Sequence, residues 1–99
     1  DLSVDEAILA ARNVGLYTLV ALQDAIGSLD RVEQVVRTFG MVNAAPGFTE
    51  HPRVIDGFSN LFIDIFEEKG RGARSAVGMS SLPFNIPVEV EITIKILAE

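Results

Sequence analysis

An alternating run near the C-terminal end constrains the fold of this chain more than any other feature. Apolar residues occupy every second position from Val88 to Ile96. Polar or charged residues fill the positions between them: Glu89, Glu91, Thr93 and Lys95. Because successive side chains of a strand point to opposite faces, the run predicts a strand with one apolar face and one polar face. The apolar face must then be covered by other elements.

Two amphipathic helices are predicted to supply that cover. Apolar and small residues recur at spacings of three and four over residues 4–26, and Ser3 with Glu6 has the spacing of a capping box. A second helix is predicted over about residues 52–69, with Pro52 in its first turn and glycines after its last. Its apolar face comprises Ile55, Phe58, Leu61, Phe62, Ile65 and Phe66.

Two further strands are predicted, over about residues 32–43 and residues 73–80, from β-branched residues and alternation. Proline and glycine mark a loop at 44–53, and two prolines mark a turn at 82–87. The order helix, strand, helix, strand, strand predicts one α+β domain over residues 1–99. In this fold two helices pack on one face of a mainly antiparallel sheet.

Three strands make a thin sheet for two long apolar helices. Either further strands precede Asp1, or another chain supplies cover. The chain is 48% hydrophobic and its mean hydropathy is +0.33, which is high for a lone small domain. We therefore expect additional apolar surface to be buried against copies of the chain.

Composition also limits the cellular location and the binding partners that are expected for this protein. The chain has no cysteine, no apolar run of the roughly 20 residues that span a membrane, and no secretory signal pattern, so we expect a cytoplasmic protein without membrane partners. The net charge is −6, and the eight basic residues are scattered. Nucleic acids bind through clustered Lys and Arg, so no nucleic-acid partner is expected.

The sequence lacks the residues that several classes of enzyme require. No glycine-rich nucleotide loop is present. The single histidine, His51, is expected in a solvated loop, and one histidine without cysteine does not build an ordinary zinc site. A Ser-His-Asp triad has no support. We expect neither a metal nor a cofactor.

The remaining candidate chemistry is Arg74 with Glu89 or Glu91. A guanidinium binds the carboxylate of a ligand through two parallel hydrogen bonds, and a nearby glutamate carboxylate can orient or deprotonate a water. The alternative is an Arg–Glu pair across neighbouring strands on a wet surface. Spacing alone favours the ion pair.

The C-terminal motifs carry a family resemblance. The segment GARSAVG at residues 72–78, the Leu-Pro of the following turn and VEVE at residues 88–91 resemble the signature of the YjgF/RidA family, also called reactive intermediate deaminase or endoribonuclease L-PSP. Residues 16–48 resemble that family's first helix, strand and Pro-Gly-Phe loop. The resemblance covers nearly the whole chain.

The resemblance implies a chorismate-mutase-like α+β fold that forms a homotrimer, with the sheets around a central barrel and ligand clefts between subunits. It implies hydrolytic deamination of reactive enamine or imine intermediates to 2-oxo acids and ammonia, without a cofactor. By position, Arg74 would clamp the carboxylate of the imine or 2-oxo acid, and Glu89 would hold the attacking water. Ala76, where the family often has cysteine, would contact substrate through its backbone.

Departures from the family pattern keep other functions open. The family's N-terminal strands have no counterpart before Asp1, so we expect the chain to lack them. Asp56 stands where the family often has asparagine, and a negative charge facing the cleft would repel an acidic ligand. The alternative function is a non-catalytic trimer that binds small carboxylates or serves regulation. Ribonuclease activity, which the family's older name suggests, is disfavoured by the net charge.

Overall fold

Two helices lie against one face of a three-stranded sheet in the computed structural model, which describes residues 2–98. The elements are α1 (Val4–Ile26), β1 (Val32–Asn43), α2 (His51–Phe66), β2 (Ala73–Met79) and β3 (Val88–Ile96). This confirms the predicted α+β order, and the bounds agree with the sequence-based ones to within a few residues. Neither helix of this described region is long and apolar enough to cross a membrane.

The capping box predicted for α1 is present. The Glu6 amide donates to Ser3 Oγ at 3.1 Å, and the Ser3 amide donates to Glu6 Oε1 at 2.9 Å. Each bond satisfies an amide that the first helical turn leaves without an intrahelical partner. At the other end Gly27 has φ of 85°, a left-handed conformation that glycine adopts without steric cost. Both ends of α1 are therefore determined by local sequence.

The sheet is mixed, and this differs from the mainly antiparallel arrangement expected. Its strand order is β2-β1-β3, with β1 parallel to β2 and antiparallel to β3. The parallel pair arises because α2 crosses over between β1 and β2 and returns the chain to the end of the sheet where β1 began. Since β1 lies between them, β2 and β3 are the two edge strands and form no hairpin.

The core lies between the helices and the sheet. Phe58 and Phe62 of α2 stack at 4.6 Å between ring centroids, and both are almost fully buried. Other buried core residues include Ala11, Leu19, Val35, Val42, Ile55 and Val88. At Gly57 a Cβ would collide with the backbone carbonyl oxygen of Ile8, so α2 approaches α1 closely only because this position is glycine.

The two faces of the sheet can be assigned from β1. A Cβ at Gly40 would meet the side chain of Ile55 in α2, so Gly40 faces the helices. By alternation Thr38 and Val42 face the same way, whereas Phe39 and Met41 point to the opposite face. Neither helix covers that opposite face, which we call the open face.

Candidate functional site

Arg74 lies on β2 and reaches α2. It pairs in register with Thr38 of β1, so its side chain is on the helix-facing side of the sheet. Its Nη1 donates to Asp56 Oδ1 at 2.6 Å and makes a longer contact of 3.4 Å to Ser59 Oγ. Asp56 and Ser59 are three residues apart on α2 and therefore share one helix surface. The crossover of α2 thus places a carboxylate and a hydroxyl beside the arginine.

The guanidinium of Arg74 keeps unused hydrogen-bonding capacity. Its side chain is 28% exposed and that of Asp56 is 47% exposed, so the pair sits at the surface. Among the described residues only Nη1 makes a hydrogen bond, while Nε and Nη2 point along the other edge of the planar group. That edge offers two parallel N–H donors, which is the geometry that a carboxylate accepts.

Glu89 lies elsewhere. It pairs in register with Met41, so it belongs to the open face, whereas Arg74 belongs to the helix-facing side. Strand β1 also separates the two edge strands that carry them. Glu91 is opposite Phe39 and shares the open face with Glu89. One chain therefore brings neither glutamate to Arg74, and the expected Arg–Glu pair across neighbouring strands does not form.

Ala76 shares the side of Arg74. It pairs in register with Gly40, which faces the helices, and its side chain is half-buried against the core. Two residues along a strand separate it from Arg74 by about 6.6 Å. Of the three predicted site residues, Arg74 and Ala76 therefore lie on one face and Glu89 on the other.

Asp56 and Ser59 lie beside Arg74, and no chemical motif in the sequence predicts this contact. In the sequence Asp56 is distinguished only as a departure from a family pattern, and Ser59 belongs to no recognisable motif. Their contact with Arg74 depends on α2 lying over β2, which follows from the parallel pairing. A prediction of that pairing would have shown which residues of α2 lie near Arg74.

His51 does not lie in a solvated loop, so that expectation is wrong. It begins α2, is half-buried, and packs its ring edge-on against Phe48 at 5.3 Å between centroids. The ring also lies over Gly78, where a Cβ would collide with His51 Nε2. This packing accounts for the position of the imidazole without a catalytic role.

A cavity of about 670 Å³ opens at the end of the sheet beside the first turn of α1. Its walls include Val4, Val42, Phe48 and Pro87, with the polar side chains of Asn43 and Asn85. Arg74, Ala76 and Glu89 are not part of its lining. Nor do His, Asp and Glu side chains in the described part of the chain gather into a cluster that would hold a metal ion.

Comparisons with known proteins agree with the observed fold. The sequence profile of the family described as "YjgF/chorismate_mutase-like, putative endoribonuclease" matches residues 1–96. Protein TCP17 of Trypanosoma cruzi is 44% identical over 96 residues, which are 96% of this chain and 60% of that protein.

Two solved structures share the fold. The protein Atu1372 of unknown function from Agrobacterium tumefaciens has a TM-score of 0.94 and 39% identity, over 97% of this chain and 63% of that one. A protein described as a "putative endoribonuclease" from Shewanella oneidensis has a TM-score of 0.92 and 32% identity, over 97% of this chain and 64% of that one. The chain thus spans about three-fifths of the length of these relatives. Because the family profile matches residues 1–96 and both solved structures share the fold, this chain belongs to the YjgF/chorismate-mutase-like family.

Proposed function

We propose that this chain hydrolyses reactive enamine or imine intermediates to 2-oxo acids and ammonia, at sites that form between copies of the chain. The observation that supports the proposal is the position of Arg74 on the edge strand β2, where one edge of its guanidinium can still receive a carboxylate. An arginine is suited to this role because its planar fork binds a carboxylate and stays charged.

The reaction needs little from the protein beyond positioning. Arg74 holds the carboxylate of the substrate, so that the carbon of the C=N bond lies at a fixed distance from the guanidinium. A water oxygen bonds to that carbon, and its proton passes to the nitrogen. The remaining O–H proton then passes to the nitrogen as the C–N bond breaks, so that ammonia leaves and the oxygen forms the C=O bond of the 2-oxo acid. Atoms and electrons balance with water as the single co-reactant.

Glu89 can take part only from a second chain. It lies on the open face of its own sheet, half-buried, beside apolar residues of that face such as Phe39 and Met41. In a homotrimer whose open faces pack against the edges of neighbouring sheets, Glu89 of one chain would approach Arg74 of the next. Its carboxylate would then accept a proton from the attacking water and pass it on to the nitrogen of the substrate.

A second candidate is a non-catalytic trimer that binds small carboxylates through Arg74. The observation that favours it is the separation of Arg74 and Glu89 within one chain. It predicts binding of a 2-oxo acid without any acceleration of imine hydrolysis.

The rate of ammonia release from freshly generated 2-aminoacrylate distinguishes the two. If the chain is a deaminase, the wild type accelerates release, and Arg74→Ala loses about 100-fold because a charge-assisted carboxylate contact is gone. Arg53→Ala is the matched control, since it removes an exposed arginine that pairs with Glu50 at the N-terminal end of α2. If wild type and Arg74→Ala both match the uncatalysed rate, deamination is wrong, and Arg74-dependent binding of 2-oxobutyrate would support the second candidate.

A further inference from the structure

The ion pair of Arg74 and Asp56 presents opposite charges side by side at the surface. Nη1 of Arg74 and Oδ1 of Asp56 are 2.6 Å apart, and the Asp56 side chain is about half exposed. On the basis of the proposed function, we propose that this pair selects ligands with a positive charge next to their carboxylate. The preferred class is the protonated 2-imino acid, or an α-amino acid of the same shape, over the 2-oxo acid.

The hydrogen bond to Asp56 leaves one edge of the Arg74 guanidinium for a ligand carboxylate. A ligand acid that docks on Nε and Nη2 of Arg74 shares the guanidinium with Asp56, which already occupies Nη1. Two carboxylates on one guanidinium repel each other, and a surface site screens that repulsion only in part. A ligand whose sole charge is a carboxylate is therefore held weakly by this pair.

A cationic nitrogen in the ligand reverses the sign of that interaction. In an imino or amino acid the nitrogen is attached to the carbon that bears the carboxylate, so it lies within hydrogen-bonding reach of groups around the docked acid. Among the described residues Asp56 accepts hydrogen bonds only through Oδ1, which leaves Oδ2 for an N–H donor of the ligand. The ligand and the protein pair then form a ring of alternating charges, with each carboxylate next to a cation.

This preference matches the course of the proposed hydrolysis. The protonated C=N carbon is the electrophile that water attacks. When the nitrogen leaves as ammonia, the product retains its carboxylate and has lost its cation. Asp56 then repels the 2-oxo acid that it attracted as an imine, which favours release of the product. A neutral asparagine at this position would not distinguish the two charge states in this way.

The test compares two stable ligands with the same carbon skeleton, L-2-aminobutyrate and 2-oxobutyrate, by calorimetric titration of the whole chain. The wild type is expected to bind the amino acid at least about tenfold more tightly, as for one charge-assisted hydrogen bond gained by its ammonium group. Asp56→Asn, which keeps the size of the side chain, should reduce that ratio to about one. Asp56→Glu keeps the charge and should retain a preference for the amino acid.

Arg74→Ala separates the failure of this inference from that of the proposed function. The inference is supported if Arg74→Ala binds neither ligand and if the ratio of the two affinities falls to about one in Asp56→Asn. If Arg74→Ala loses both ligands but the ratio in Asp56→Asn equals that of the wild type, Asp56 is a structural partner of Arg74, and only the selectivity is overturned. If Arg74→Ala binds both ligands as the wild type does, or the wild type binds neither, the carboxylate anchor fails and the selectivity fails with it. Circular dichroism and mass measurements on each variant establish that fold and assembly are unchanged.

Discussion

Arg74 and Glu89 lie on opposite faces of one sheet, on the two edge strands that flank β1. No rotamer change brings them together, because the backbone of β1 and the pleat of the sheet separate their side chains. A reaction that uses both groups must therefore take them from different chains. This requirement has a direct test.

Mixing two inactive variants should restore activity if the site is shared. Arg74→Ala chains retain Glu89, and Glu89→Gln chains retain Arg74, so an interface between unlike chains can hold one intact pair. With random mixing of equal amounts in a closed ring, about a quarter of the interfaces carry both wild-type groups. Ammonia release from 2-aminoacrylate by the co-refolded mixture should therefore reach about a quarter of the wild-type rate. A mixture no more active than its two separately refolded components would refute a site shared between chains.

The close crossing of the two helices predicts a large stability cost at Gly57. Gly57→Ala puts a methyl group against the carbonyl oxygen of Ile8, and the helices must separate to admit it. Overpacking of this kind costs about 1–3 kcal/mol, which outweighs the gain of about 1 kcal/mol in helix propensity. Urea unfolding of the variant measures the difference. Asn60→Ala, at an exposed position of the same helix, is the control and should change stability by less than about 0.5 kcal/mol.

The capping box of α1 predicts a pH-dependent contribution from Glu6. Hydrogen bonds from the backbone amide and side chain of Ser3 hold the pKa of Glu6 below its ordinary value of 4.5. A carboxyl whose pKa is lower in the folded state stabilises the fold above its unfolded pKa and loses that effect as pH falls through its folded pKa. The stability advantage of the wild type over Glu6→Gln should thus be present at pH 7 and shrink below about pH 4.5. Urea titrations at pH 7 and pH 3 measure it, and an advantage that is the same at both pH values would contradict the assigned cause.

The charge of the chain predicts that it does not act on RNA as a ribonuclease of the usual basic kind. The net charge is −6, and affinity for a phosphate backbone comes chiefly from counterions released by clustered Lys and Arg. Fluorescence anisotropy with a single-stranded RNA should show no binding at about 0.15 M salt and no steep dependence on salt. Tight binding that weakens by orders of magnitude between low and moderate salt would restore the ribonuclease hypothesis.

Much of the fold could be predicted because its signals are local. The Ser3–Glu6 capping box and the glycine at position 27 mark the ends of α1, and both operate within one turn of helix. The alternation from Val88 to Ile96 is likewise a local signal, because it lies within the single strand that it predicts. Periodicity shows which side of an element is apolar, and that information is contained in any ten consecutive residues.

The sequence by itself determined the elements, their apolar faces and the presence of an arginine near the start of the second strand. Only the tertiary structure decided which residues lie beside that arginine. The crossover of α2 makes β1 and β2 parallel and brings Asp56 to Arg74, while β1, inserted between β2 and β3, places Glu89 on the far side. Strand order and pairing direction depend on contacts between residues distant in sequence, and local periodicity is the same for either arrangement.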